Sequence, residues 1–231
     1  MADITLRIPE AGLVAPNWLT RPQISATLQN IENKYGKYIN FASRTSRIPR
    51  EIIKAFILVE SEGDPTAGGS GSVTQGLMQW NRNHATPQLE EELKQGRLSP
   101  LEKSKLAEYG ITFNANGKTR IITSADQVKP ELNILIGSIV LGQLVDTNWG
   151  TDKGVLRLDR IIVVWNSGGY GTDGVKARKG GFKTASSLAA NVNDVSSRYI
   201  KKILGKDGAM HVNKEDLLQK IGDVFTGKAK A

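Results

Sequence analysis

Three features of the sequence predict a mainly α-helical protein carrying one small β-hairpin. Apolar residues recur at helical spacing along much of the chain, as at Ile24, Leu28 and Ile31 and again at Ile53, Phe56 and Ile57. An uncharged run from Leu132 to Val145 includes Asn133, Ser138 and Gln143. It is shorter than the roughly 20 residues that span a bilayer, so it reads as a buried core helix and the chain carries no predicted transmembrane segment. The stretch "ITFNANGKTRIIT", residues 111–123, sets two β-rich runs around Asn116-Gly117, a strong hairpin signal.

Taken in order, residues 1–20 carry Pro9 and Pro16 and no periodicity, and read as an extended arm. Helical spacing follows at Ile24, Leu28 and Ile31 and then at Tyr38, Phe41 and Ala42, with Gly36 expected to divide two helices. Pro49 suits the first turn of a helix over "EIIKAFILVES". The segment from Glu62 to Gly76 is loop by composition, and the charged stretch 85–110 looks helical. A long helix opens near Pro130. The β-branched run Ile161–Val164 taken alone favours a strand. "NDVSSRYIKKIL" is helical and stops at Gly205, and a tail helix is expected with Asn213 as its N-cap and Leu217, Leu218, Ile221, Val224 and Phe225 on one stripe.

A chain of 231 residues suits one medium domain with appendages or two small ones. It has no cysteine and only two distant histidines, His84 and His211, which excludes disulfide and thiolate chemistry and argues against a zinc site; neither metal nor cofactor is expected. The formal charge is +8, and from Gly174 onward twelve Lys and Arg stand against five Asp and Glu. Such a surface favours polyanions, or is simply a solvated basic face; no nucleic-acid motif accompanies it, so no specific nucleic acid is expected as partner.

The residue that carries chemistry is Glu60. Ile53, Phe56, Ile57 and Glu60 fall at i, i+3, i+4 and i+7, so this carboxyl shares the apolar stripe of its helix. Desolvation penalises the charged form and raises a carboxyl pKa, and an acid still protonated near neutral pH can protonate a leaving oxygen. The ordinary alternative is a glutamate at a helix end, solvated or paired with a lysine. Glu62 and Asp64 fall in the loop and read as solvated, so no second carboxylate of the usual glycosidase pair is in view.

The neighbours of Glu60 sharpen this. "IPREIIKAFILVES" followed by Gly76-Leu77-Met78-Gln79 resembles the catalytic region of the lytic transglycosylases, the soluble-transglycosylase-like family with a goose-type lysozyme fold. Three more blocks recur in the family's order: Asn133 with Gly137, Val164-Trp165-Asn166-Ser167-Gly168, and Tyr199 in a closing helix. The resemblance covers about residues 37–205. It implies a lysozyme-like fold in which Ile161–Val164 is a buried helix. It implies cleavage of the β-1,4 bond between N-acetylmuramic acid and N-acetylglucosamine in peptidoglycan strands, with one glutamate as both acid and base and a 1,6-anhydro product. Glu60 would be that glutamate.

By the same resemblance Ser61, Ser70, Ser72, Gly76, Met78, Gln79, Asn166 and Tyr199 would line the substrate site. Ser70 and Ser72 would bond the sugar or its acetamido group, Met78 would pack on the ring, and Gln79 would donate and accept at the substrate. Asn166 would fix its loop or reach a hydroxyl, and Tyr199 would bond Glu60. Each has a plainer alternative: serines in glycine-rich loops make turns, a Met after Leu is usually core, and Tyr199 could be a packed helix tyrosine. The chain departs from the family in five places. Val73-Thr74 stand where the family has Gly-Ala, and the stretch from Trp80 to Leu132 is longer than in compact members. Ser70 lies one residue further from Glu60 than usual, Trp165 replaces a tyrosine, and Val195-Ser196-Ser197 replace a Glu-Thr-Arg signature.

The expected organisation is an arm and helix over 1–33, a lysozyme-like domain over 34–205 with an insertion at about 84–130, and a tail helix over 206–231. "MADITLRIPEAGL" does not have the pattern of a secretory signal. A wall enzyme without one is expected in a phage particle, or delivered to the periplasm or wall by another route, for local wall opening during infection. The arm or tail helix would then dock on tail or other virion proteins. The alternatives are a goose-type hydrolase and an inactive structural virion protein.

Overall fold

The computed structural model describes Leu13 and residues 18–69, 71–152, 155–168 and 171–213. Ten helices are named among these: α1 (Arg21–Ser46), α2 (Arg50–Ser61), α3 (Arg82–Lys94), α4 (Pro100–Glu108), α5 (Ser124–Gln127), α6 (Pro130–Val145), α7 (Leu158–Ser167), α8 (Thr172–Lys179), α9 (Ala185–Ala189) and α10 (Asp194–Leu204). Two short strands, β1 (Thr151–Asp152) and β2 (Val155–Leu156), pair antiparallel with Thr151 opposite Leu156. No helix among the described residues is long and apolar enough to cross a membrane. The chain divides into two compact units, one of Asn30–Asp146 and one of Met1–Gln29 with Thr147–Ala231.

In the 30–146 unit the core forms around α2 and α6. Ile52, Ile53, Ala55, Phe56, Ile57 and Leu58 of α2 are buried, and so is every residue of α6 from Leu132 to Leu141. An all-round apolar helix is stable only inside a protein, so α6 takes the central place, with α3 and α5 packed on it. Helix α4 starts from a capping box in which Ser99 and Glu102 satisfy each other's backbone N–H, with Pro100 in the first turn. Gly36 does not divide α1. Ile31, Tyr35, Ile39 and Ala42 continue one buried stripe across it, and burial outweighs the roughly 1 kcal/mol that glycine costs a helix. Glu32, one turn before Gly36, takes Arg50 at 2.6 Å and Lys54 at 3.2 Å. Burial pushes the Glu32 carboxyl up, and these two cations outweigh it and hold the group below its usual range.

The hairpin expected over 111–123 is not formed. An Asn-Gly turn is present, with Gly117 at φ +71° and Asn114 N–H donating to Lys118 O at 2.9 Å, but the flanks form no ladder. Side chains take their backbone groups instead. Glu90 accepts from Thr119 N–H, Thr86 Oγ1 accepts from Ile122 N–H, and Arg120 donates to Gly110 O and Tyr109 O. Ile111 and Ile122 are buried while Ile121 is 77% exposed, so the segment is a loop anchored at its ends.

In the other unit α7 packs with α8, α9 and α10. Ile161, Ile162, Val163 and Val164 are buried within α7, so this β-branched run is a core helix, as the family resemblance implies and local propensity does not. Asn193 caps α10 by accepting from Ser196 N–H at 2.9 Å. Residues 209–213 are already helical, so Asn213 lies inside a helical turn rather than ahead of one; the rest of the expected tail helix and most of the expected arm lie outside the described residues.

Candidate active site

Helix α2 ends where the chemistry was expected. Ile53, Phe56 and Ile57 are fully buried, and Glu60, on their stripe, is half-buried in the last turn. Glu62 terminates the helix in the left-handed conformation (φ 52°), its N–H donating to Leu58 O, and is exposed. Asp64 is exposed as well and accepts from Thr66 N–H and Oγ1, both at 2.8 Å; these bonds hold its carboxyl below the usual range. Tyr35 fixes the chain just after the helix by donating to Gly63 O at 3.1 Å.

Ser61 fastens this helix end to the Gly-Leu-Met-Gln turn. Its Oγ lies 2.8 Å from Leu77 O and 3.0 Å from Ile57 O, and accepts from Gly63 N–H at 3.2 Å. The turn is built so closely that side chains would not fit at its glycine. Gly76 has φ +85°, and a Cβ there would stand 2.2 Å from Gln127 O and 2.4 Å from Asn133 Nδ2. Asn133, fully buried on α6, accepts from Met78 N–H at 2.8 Å and donates to Gln127 O at 2.7 Å and Gln75 O at 3.0 Å. Met78 itself is fully buried against Gly137, where a Cβ would come within 2.6 Å of its Sδ. Its surface is therefore taken up by the core and is not presented to a sugar ring.

Gln79 holds the glycine-rich loop. Its Nε2 donates to Ala67 O and Gly76 O, both at 2.8 Å, which uses both amide hydrogens within the protein. Gln75 Nε2 donates to Gly69 O, and Arg82 Nη1 to Ser72 O. Ser72 Oγ accepts from Thr74 N–H at 3.2 Å, the turn-making bond typical of a loop serine. Ser70 lies outside the described residues.

Asn166 and Tyr199 belong to the other unit. Asn166, on the last turn of α7, lines a cavity of about 420 Å³ together with Asp173, Asn193, Val195 and Ser196. Its Nδ2 lies 3.4 Å from Ser196 Oγ. Among its lining residues Ser196 is fully buried and Asp173 accepts from Asn193 N–H at 3.0 Å. Tyr199 is half-buried on α10. Among the described residues no group of three or more His, Asp or Glu is arranged to hold a metal ion.

The structure thus gathers Ser61, Gly76, Met78 and Gln79 beside the end of α2, mostly in the role of holding the site rather than facing a ligand. Sequence reasoning missed two members. Asn133 stood out only as a family position, with no role attached, and Gln127 on a four-residue polar helix carries no pattern that would mark it.

No curated protein matches the chain. Residues 37–188 match the family described as the transglycosylase SLT domain. The match takes in Glu60, the loop, the Gly-Leu-Met-Gln turn, Asn133 and Asn166, and stops before Tyr199. It covers well over half of the 231 residues, so the chain belongs to the transglycosylase SLT domain family, whose activity is of the lytic-transglycosylase type on peptidoglycan.

Proposed function

We propose that the protein cleaves the β-1,4 bond between N-acetylmuramic acid and N-acetylglucosamine with Glu60 as the only acid and base. The Glu60 carboxyl gives its proton to the glycosidic oxygen as the bond from C1 to that oxygen breaks. The resulting carboxylate then takes the proton of the muramoyl 6-hydroxyl as its oxygen bonds to C1. The proton returns to Glu60, no water is consumed, and the product ends in a 1,6-anhydro ring. One observation carries this reading: Glu60 ends a helix whose body is buried, and the next residue, Ser61, ties that end to the Gly-Leu-Met-Gln turn. Asp64 and Glu62, the nearest acids in sequence, are exposed, which suits a mechanism with one carboxylate.

In this reading Ser70 and Ser72 are contacts to glycan, while Ser61, Gly76, Met78 and Gln79 shape the wall. The test is Glu60→Gln on purified sacculi, with turbidity and product mass spectrometry. Glu60→Gln is isosteric and should abolish clearing with melting unchanged, and wild type should release anhydro ends. Reducing ends labelled from heavy-oxygen water would make the enzyme a hydrolase. Wild-type-like clearing by Glu60→Gln would remove Glu60 from the chemistry, and a wild type that clears nothing would leave a glycan-binding protein. The setting proposed with this activity, local wall opening by a phage particle, is tested by seeking the chain in purified virions by peptide mass spectrometry.

A further inference from the structure

The segment between α3 and α6 reads in the sequence as an insertion, yet it ends in a side chain that grips the candidate site from behind. Gln127, on α5, is fully buried. Its Nε2 donates to Trp80 O at 2.8 Å and to Val73 O at 3.1 Å, and its Oε1 lies 3.3 Å from Arg82 Nη1. Its own carbonyl accepts from Asn133 Nδ2, and the same carbonyl is the atom that leaves no room for a Cβ at Gly76. Val73 and Trp80 flank the Gly-Leu-Met-Gln turn on either side. The loop is closed there by Arg82 N–H donating to Val73 O at 3.0 Å and by a bridge between Thr74 and Asn81. One amide thus holds both ends of the segment.

We infer that Gln127 is a positioning residue for the reaction of Glu60. The path is continuous. Gln127 and Asn133 fix the turn, Leu77 O in the turn accepts from Ser61 Oγ, and Ser61 follows Glu60 at the end of α2. Buried amide bonds of this kind lock one geometry, because leaving any of the carbonyls unpaired carries the full desolvation penalty. Helix α5 is itself held at its other side. Asp126 accepts from Arg120 at 2.7 and 3.0 Å and from Thr123 N–H at 2.9 Å. The 111–127 segment is therefore part of the catalytic wall.

This inference rests on the role proposed for Glu60, and its test separates the two. Gln127→Met keeps the volume and removes the three polar contacts. On soluble glycan strands, well below its melting temperature, it should lower kcat roughly tenfold to hundredfold with KM within about twofold of wild type, as expected when an acid is held slightly out of place. Leu106→Ala, a cavity in the core under α4, is the control: it should melt earlier than wild type yet keep wild-type kcat in the same assay. Amide exchange over residues 73–82 should accelerate in Gln127→Met and not in Leu106→Ala. Wild-type kcat in a folded Gln127→Met overturns the inference. So does faster exchange without loss of kcat, which leaves a structural clamp only. If Gln127→Met does not fold, exchange in wild type decides: residues 73–82 and α5 should open together, and a turn that exchanges far faster than α5 overturns the coupling. Should wild type release no products, the reading of Glu60 fails while the exchange result still stands.

Discussion

Two loops of the 30–146 unit are both long, both rich in turn residues and both without a ladder, yet they are held by opposite means. The 62–82 loop is fastened mainly by neutral groups, the buried Asn133 and Gln127 and the half-buried Gln79 and Ser61, which donate to or accept from its backbone, with Arg82 and Asp64 as the charged contributors. The 110–123 loop is fastened by charge, through Arg120 with Asp126 and Lys118 with Glu90. Neutral buried bonds do not respond to pH or salt, while ion pairs respond to both. The direct bonds to the loop beside Glu60 are thus mainly ones that neither pH nor salt alters.

The harshest way to break the neutral loop is Gly76→Ala. A left-handed φ and contacts of 2.2 and 2.4 Å should together cost about 4 kcal/mol, visible as a steep fall in the urea midpoint. Asn133→Ala comes next, because it strands Met78 N–H, Gln75 O and Gln127 O in the interior. About 3 kcal/mol and a melting temperature lower by roughly 6–12 °C are expected by calorimetry.

The charged loop yields to acid. Burial pushes the Asp126 carboxyl up, but Arg120, Thr123 and Lys129 outweigh it and hold it far below the usual carboxylate range. A depressed folded pKa gives stability that is complete above about pH 4 and is lost as pH falls below that value. Amides of 110–123 should therefore lose protection as pH falls from about 4 to 2. Asp126→Asn should remove that pH step at a cost of about 2 kcal/mol at neutral pH. The mildest change is Lys118→Ala. Its pair with Glu90 is made by a side chain 67% exposed, and under about 0.5 kcal/mol is expected by chemical denaturation.

The same contrast explains what could be read in advance. Helices with a strong apolar period, α2 and α6 above all, were legible because burial follows directly from spacing. The place of Glu60 on the apolar stripe of α2 was legible from the same spacing. The helical state of Ile161–Val164 was legible only through the family resemblance, since β-branched residues favour a strand locally and the surrounding core decides. The absent hairpin at 111–123 and the unbroken helix at Gly36 have one cause: partners distant in sequence, such as Glu90 and Thr86 for the loop, override the local signal. Met78 and Gln79 were legible as members of a motif but not as internal supports of its turn, because a motif names residues without saying which way they face.

Gln79 sits in the left-handed region at φ 47°, a conformation that costs a residue with a side chain about 1–2 kcal/mol and glycine nothing. A mutation to glycine would therefore relax the backbone while releasing Ala67 O and Gly76 O from their shared donor. Selection for stability alone and selection for a firm loop pull this position in different directions. Lineages freed from one of those pressures should show it here first, as glycine where the loop no longer matters and as glutamine where it does.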